Sequence, residues 1–188
     1  SKMRRAQEQA MAARPYADKI RQVLSSITGQ RAQGDDLVHP LLERRAIHKS
    51  LIVHLTPDRG LCGGLPGNLN RRSAQIILEK QEPVTLLTVG RKGRDFMVRA
   101  GQDVAGVFLG LSDRPTLADT VPITHMMERL YTDREVDQVL LVYPQFINVI
   151  SQQPTVIQVL PVEPPEVPTG TGAGHVYEPD EQQIFGAL

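Results

Sequence analysis

The chain has no tryptophan and only one cysteine, Cys62, among its 188 residues. A single cysteine cannot form a disulfide within the chain or a zinc site of several thiolates, and such usage is typical of a reducing compartment. The 21 basic and 21 acidic residues cancel, so net charge gives no reason to expect a nucleic acid or an anionic membrane as a partner. Because no run of eighteen apolar residues occurs, the sequence predicts no membrane-spanning helix.

Two phosphate-binding motifs are also missing. An apolar run at Leu51–Leu55 leads into a turn that contains Gly60, Gly63, Gly64 and Gly67. A dinucleotide site needs G-x-G-x-x-G and a P-loop needs G-x-x-x-x-G-K-[ST], and the spacing here fits neither motif. After the second apolar run, Val84–Val89, the sequence reads GRKG, where an acid that binds ribose would be expected. A nucleotide-binding enzyme of Rossmann type is therefore an alternative that the pattern disfavours.

Few residues suit catalysis. Cys62 is the best candidate nucleophile, since thiols in a turn ahead of a helix are often reactive, but no histidine or acid stands beside it, which favours a structural or contact role. His39 and His48 lack the spacing of metal ligands, and His125 falls in a predicted helix. We therefore predict no catalytic residue, no metal ligand and no cofactor site.

Strand and helix patterns alternate over residues 48–162. The predicted strands are Leu51–Leu55, Val84–Val89, Val104–Leu109, Val136–Tyr143 and Thr155–Leu160, and the predicted helices are Leu69–Gln81, Gly93–Ala100 and Thr116–Tyr131. This order is typical of a doubly wound, Rossmann-like α/β fold with helices on both faces. The connection between the last two strands is too short for a helical crossover, so we expect a mostly parallel five-stranded sheet whose fifth strand is antiparallel at an edge.

Residues 1–31 have the clearest helical period. Apolar side chains recur there at spacings of three and four: Met3, Ala6, Ala10, Ala13, Ala17, Ile20, Leu24 and Ile27. Such a seam predicts a long coiled-coil helix that needs a partner helix, although its C-terminal half could instead pack on the α/β domain. We predict a connecting loop over residues 32–47, and a proline- and glycine-rich linker with the start of a second helix over residues 163–188.

Six segments resemble, in the right order, the γ subunit of the rotary F-type ATP synthase. They are SKMRRAQ at 1–7, ARPYA at 13–17, DRGLCGG at 58–64, GRKGRDF at 90–96, GLSDRP at 110–115 and YEPD at 177–180. The resemblance implies a bacterial-like central-stalk subunit that lacks the start of its N-terminal helix and nearly all of its C-terminal helix. It implies a non-catalytic rotor that couples the proton-driven turning of a membrane ring to ATP synthesis and hydrolysis in an α3β3 head.

The resemblance also implies partners and contact residues. The partners would be the α, β and ε subunits and the c-ring, with no nucleic acid and no cofactor, at the cytoplasmic face of the plasma membrane as a peripheral protein. Contacts with a β subunit would involve Lys2, Arg4, Arg5, Asp58, Arg59, Cys62, Gly63 and Gly64. Tyr177 and Glu178 would contact the rotor ring and ε. The alternatives are the nucleotide-binding enzyme and an adaptor that dimerises through its coiled-coil helix.

Overall fold

The computed structural model describes residue 8 and residues 40–111, 115–148 and 150–163. After a 3₁₀ turn at Pro40–Leu42, strands and helices alternate. The strands are β1 (Ser50–Leu55), β2 (Val84–Val89), β3 (Val104–Phe108), β4 (Gln138–Phe146) and β5 (Gln152–Leu160). The helices are α1 (Leu65–Glu79), α2 (Arg91–Arg99) and α3 (Leu117–Thr132). Apart from residue 8, the predicted coiled-coil helix over 1–31 lies outside the described residues, as does the chain beyond residue 163.

The five strands form one sheet in the order β3-β2-β1-β4-β5. The central strand β1 pairs in parallel with β2 and with β4, and β2 pairs in parallel with β3. The edge strand β5 runs antiparallel to β4. The predicted fold class, a mostly parallel five-stranded sheet with an antiparallel fifth strand at its edge, is confirmed.

The apolar core covers both faces of this sheet. On one face Ile52 of β1 packs in a cluster with Leu69 of α1 and Met97 of α2. On the other face Val53 packs in a cluster with Leu130 of α3. Because successive side chains of a strand point to opposite faces, the apolar run of β1 is buried from both sides, as a central parallel strand requires. The predicted arrangement of helices on both faces is also confirmed.

Several predicted boundaries were wrong. Helix α1 begins at Leu65 and not at Leu69, because a proline in the first turn of a helix loses no hydrogen bond and already has a helical φ. Helix α2 begins at Arg91 and not at Gly93. The last two strands are longer than predicted, because their hairpin continues through the pair formed by Pro144 and Pro154.

The chain enters and leaves the domain at neighbouring positions. The backbone N–H of Val162, which follows β5, donates to the carbonyl of Leu41 in the 3₁₀ turn, at 3.1 Å. Leu41 and Val162 both pack against the apolar cluster on the α3 face. The chain therefore enters and leaves the α/β domain at adjacent backbone positions.

Within the ranges that the structure describes, the helices are too short or too polar to cross a membrane.

Candidate functional site

The loop after β1 carries the DRGLCGG sequence and is held by one carboxylate. Asp58 accepts the backbone N–H of Arg91 through Oδ1 and the backbone N–H of Gly110 through Oδ2, each at 2.8 Å. Arg91 follows β2 and Gly110 follows β3, so a single side chain ties together the carboxyl ends of three neighbouring strands. Loops at this edge of a parallel sheet commonly form binding sites.

Two glycines let the neighbouring loop approach β1 closely. Gly90 has φ +102°, and a Cβ added there would lie 1.9 Å from the carbonyl oxygen of Thr56. The N–H of Gly93 donates to Oγ1 of Thr56 at 2.8 Å. A larger residue at Gly90 would overlap the Thr56 backbone, and one at Gly93 would overlap the side chains of His54 and Thr56, so the frame beneath the DRGLCGG turn is tightly determined.

The first turn of α2 has its donors occupied by the protein itself. The N–H groups of Arg91, Lys92 and Gly93 donate to the Asp58 carboxylate, the Pro57 carbonyl and the Thr56 hydroxyl. A phosphate bound at a helix N-terminus needs such N–H groups pointing into open space. The geometry therefore disfavours a nucleotide phosphate at this helix, in agreement with the missing sequence motifs.

The glycine-rich turn itself projects outward. Leu61 has φ 62° and Gly63 has φ 57°, and the Leu61 side chain is fully exposed. The thiol of Cys62 is half-buried and faces the carbonyls of Arg59 and Gly60, at 3.7 and 3.5 Å. These are weak contacts between a thiol and backbone oxygens. They hold Cys62 in the turn, and neither contact supplies a base that could activate the thiol.

A groove of about 610 Å³ runs between this turn and the loops after β2 and β3. Its walls include Arg59, Cys62, Arg91 and Leu111, so cationic and apolar groups line the same opening. A surface of this mixed character suits contact with another protein, with charged groups at the rim and apolar groups between them.

The structure brings together only part of the predicted contact set. Asp58, Arg59, Cys62, Gly63 and Gly64 lie in one continuous turn. The remaining predicted contacts lie outside the described residues: Lys2, Arg4, Arg5, Tyr177 and Glu178. Sequence reasoning missed Leu61, although an apolar residue among four glycines was the available signal.

Sequence reasoning also missed a buried polar network beneath the site. His54 of β1 contacts Ser73 Oγ through Nδ1 and Asn70 Oδ1 through Nε2, both at 2.8 Å. Burial lowers the pKa of His54, and the hydrogen bond with Asn70 opposes this in part. All three side chains are buried, and the backbone of Gly93 closes over the imidazole ring. This set of serine, histidine and asparagine therefore has no access to a substrate and serves to join α1 to β1.

Metal ligands were not expected, and within the described ranges no three His, Cys, Asp or Glu side chains are grouped so that they could hold an ion.

Comparison with known proteins covers the whole chain. The family model described as "ATP synthase" matches residues 1–188. The "ATP synthase gamma chain" of Dehalococcoides mccartyi is 42% identical over 188 residues, which are all of this chain and 66% of that protein. The protein of the same name from Chloroflexus aurantiacus is 38% identical over 192 residues, again with 66% of its length covered. The chain thus spans just under two thirds of the length of these curated relatives.

Solved structures have the same fold. A central stalk with its c-ring from the mitochondrial ATP synthase of Tetrahymena thermophila matches with a TM-score of 0.55 at 23% identity, over 76% of this chain and 71% of that one. A rotor from the mitochondrial ATP synthase of Euglena gracilis matches with a TM-score of 0.52 at 18% identity, over 84% of this chain and 62% of that one. At such low identity these matches show the fold alone.

Proposed function

The chain belongs to the ATP synthase gamma-chain family, and from this premise we propose that it is the central-stalk rotor subunit of the F1 sector of an ATP synthase. The observation that carries the proposal is the match of the family over all 188 residues. In this role the subunit couples the turning of a membrane rotor ring, driven by proton flow, to ATP synthesis or hydrolysis in an α3β3 head. The subunit itself is non-catalytic.

In this mechanism the contacts of the shaft change how often each β subunit adopts each of its conformations. Residues 1–31 form a basic helix that pairs with a second helix inside the α3β3 ring, and each angle of this shaft favours a different conformation of each β subunit. A partner can shift a conformational equilibrium only through its difference in affinity for the two conformations. As the shaft rotates, these differences in affinity change for each β subunit in turn.

The DRGLCGG turn is the part of the α/β domain that we assign to β-subunit contact, with Asp58, Arg59, Cys62, Gly63 and Gly64 as its residues. The fixed frame beneath the turn supports this assignment, since a preorganised loop loses little conformational entropy on binding. The exposed Leu61 side chain supplies the apolar group at its centre.

Further contacts lie at the two ends of the chain. Lys2, Arg4 and Arg5 contact a β subunit along the shaft, and Tyr177 and Glu178 contact the rotor ring and ε. The domain limits belong to the same proposal: a coiled-coil helix over 1–31, a connecting loop over 32–47, an α/β domain over 48–162, and a linker with the start of a second helix over 163–188. The subunit is peripheral, bound through the complex at the cytoplasmic face of the plasma membrane.

The two alternatives make different predictions. A nucleotide-binding enzyme requires a cofactor site at Gly60–Gly67, where the glycine spacing fits neither phosphate-binding motif. A dimeric adaptor requires self-association through residues 1–31 in place of binding to the head.

The deciding experiment is a pull-down of this chain with purified ε subunit and with the α3β3 ring, together with isothermal titration of ATP and NADPH. We expect binding to ε and to the ring without heat from either nucleotide. The variant Arg59→Glu should weaken capture by the ring, and Gly60→Ala, at a position with open space around it, is the matched control. Saturable nucleotide binding without capture by either partner would contradict the proposal.

A further inference from the structure

The segment that enters the α/β domain is clamped along its length. Arg45 lies between the 3₁₀ turn and β1, and its Nε donates to Oδ1 of Asp137 at 2.7 Å. Its Nη2 donates to the carbonyls of Tyr131 and Val136, at 2.7 and 2.6 Å. The guanidinium carbon also lies 4.3 Å from the centre of the Tyr131 ring. One side chain thus contacts both the end of α3 and the two residues that precede β4.

Asp137 also binds the segment that enters the domain. Its Oδ2 accepts the backbone N–H groups of His48 and Lys49, at 2.8 and 3.2 Å, while its own N–H donates to the carbonyl of Lys49 at 2.8 Å. Burial acts most strongly on this carboxyl and raises its pKa, but the hydrogen bonds from His48, Arg45 and Lys49 outweigh burial, so the pKa lies below its usual value. Only 12% of the Arg45 side chain and 10% of the Asp137 side chain are exposed, so the pair is shielded from water.

Glu43 extends the contacts toward the 3₁₀ turn. The Tyr131 hydroxyl donates to the carbonyl of Glu43 at 2.6 Å, and the Glu43 carboxylate pairs with Arg134 at 2.8 Å and with Arg45 at 3.6 Å. We call the set of Glu43, Arg45, Tyr131 and Asp137 the entry clamp. Its partners are separated by about ninety residues in sequence, as with Arg45 and Asp137, so it fixes the direction in which the chain reaches the domain.

We infer that the entry clamp is the joint that transmits torque between the α/β domain and the helical shaft, an inference that rests on the proposed function. A connecting segment held only by its covalent bonds can rotate about each φ and ψ, so it twists under load. The forked guanidinium removes this freedom because its donors engage three acceptors at once, one at the end of α3 and two just before β4. Arg45 and Asp137 are thus positioning residues for rotation and do not touch nucleotide.

The test measures twist directly on the F1 complex assembled around the full-length subunit, with the head fixed to a surface. A bead is attached to the α/β domain through a biotin-acceptor peptide inserted after Ile150, at an exposed position of the β4–β5 hairpin, so that Cys62 is left unchanged. The angular variance of the bead in a paused state is inversely proportional to the torsional stiffness of the rotor. We expect Arg45→Lys, which keeps the charge but loses the fork, to raise this variance at least twofold.

The matched control is Arg134→Lys, an exposed partner of the same Glu43, which should leave the variance unchanged. Should Arg45→Lys fail to fold, Tyr131→Phe removes only the hydroxyl bond to Glu43 and should give a smaller increase. An unchanged variance in whichever of these two variants folds overturns the inference. A wild-type chain that neither assembles with α3β3 nor rotates contradicts the proposed function instead, so the two failures are distinguishable.

Discussion

The carboxylate of Asp58, in the loop after β1, accepts the backbone N–H of Gly110, in the loop after β3, with 2.8 Å between Oδ2 and N. With the second bond to Arg91, this makes Asp58 the shared anchor of three strand ends. We expect Asp58→Ala to lower the free energy of unfolding by about 2 kcal/mol, since a hydrogen bond to a charged group contributes roughly 1.5–3 kcal/mol and these bonds are partly exposed to water. Urea unfolding followed by circular dichroism measures the loss.

The matched control for Asp58 is Asp95→Ala. The Asp95 carboxylate is 42% exposed and pairs with the adjacent Arg94, so its removal should cost less than about 0.5 kcal/mol. Equal losses of stability in the two variants would show that Asp58 contributes no more to the free energy of unfolding than a surface ion pair does.

Three glycine positions form a graded series. Gly60→Ala should be nearly neutral, because a Cβ there meets nothing within 4 Å. Gly63→Ala should cost about 1 kcal/mol for a left-handed backbone. Gly90→Ala should cost on the order of 3 kcal/mol or more, because the new Cβ would overlap the Thr56 carbonyl oxygen at 1.9 Å. Thermal melts rank the three, and any other order would count against the described loop geometry.

His54 predicts a pH dependence of stability near neutrality. Burial lowers its pKa in the folded chain, so the unfolded chain binds the extra proton once the pH falls below about 6.5. Its contribution to stability is therefore complete above that pH and declines as the pH falls below it. The urea midpoint of unfolding should be lower at pH 5.5 than at pH 7.5. In His54→Gln the difference between the two midpoints should be smaller. A midpoint that rises on acidification would contradict this assignment.

Glu82 predicts a second loss of stability at lower pH. Chiefly through the hydrogen bond from Lys80, its pKa is lowered from 4.5 to about 2. The pair therefore stabilises the fold above pH 4.5, and this stabilisation is lost as the pH falls toward 2. At neutral pH Glu82→Gln should cost about 1 kcal/mol and should flatten the acid limb of the stability curve. Glu79→Gln, at an exposed position of α1, is the control, and an identical acid limb in both variants would refute the prediction.

The strands that sequence predicted best are those whose apolar runs are buried on both faces. The limits of β2 match Val84–Val89, since such a run has few other stable places in an α/β chain. The entry clamp was not predictable, because the sequence near Arg45 carries no sign of an acid at position 137. Asn70 and Ser73 were missed for a related reason. They are three residues apart on α1 and face His54, and a polar pair at that spacing is normally assigned to solvent.

The resemblance to a family named more residues of the candidate site than residue patterns did. Glycine spacing alone excluded two phosphate motifs, whereas the order of six short segments pointed to the ATP synthase gamma chain. Neither route found Leu61, which is exposed and has a left-handed backbone at a residue other than glycine. Such conformations are uncommon and are not encoded by residue type alone.

The hydrogen bond between Leu41 and Val162 makes the α/β domain a closed insertion in the chain. Two adjacent backbone positions lead into and out of it, so a short turn could replace everything between them without altering the spacing of the flanking segments. The same adjacency allows the reverse operation, in which a foreign domain with neighbouring termini is grafted at this point. The α/β domain thus has the geometry of a module, which could be exchanged during evolution or by design at two adjacent backbone positions.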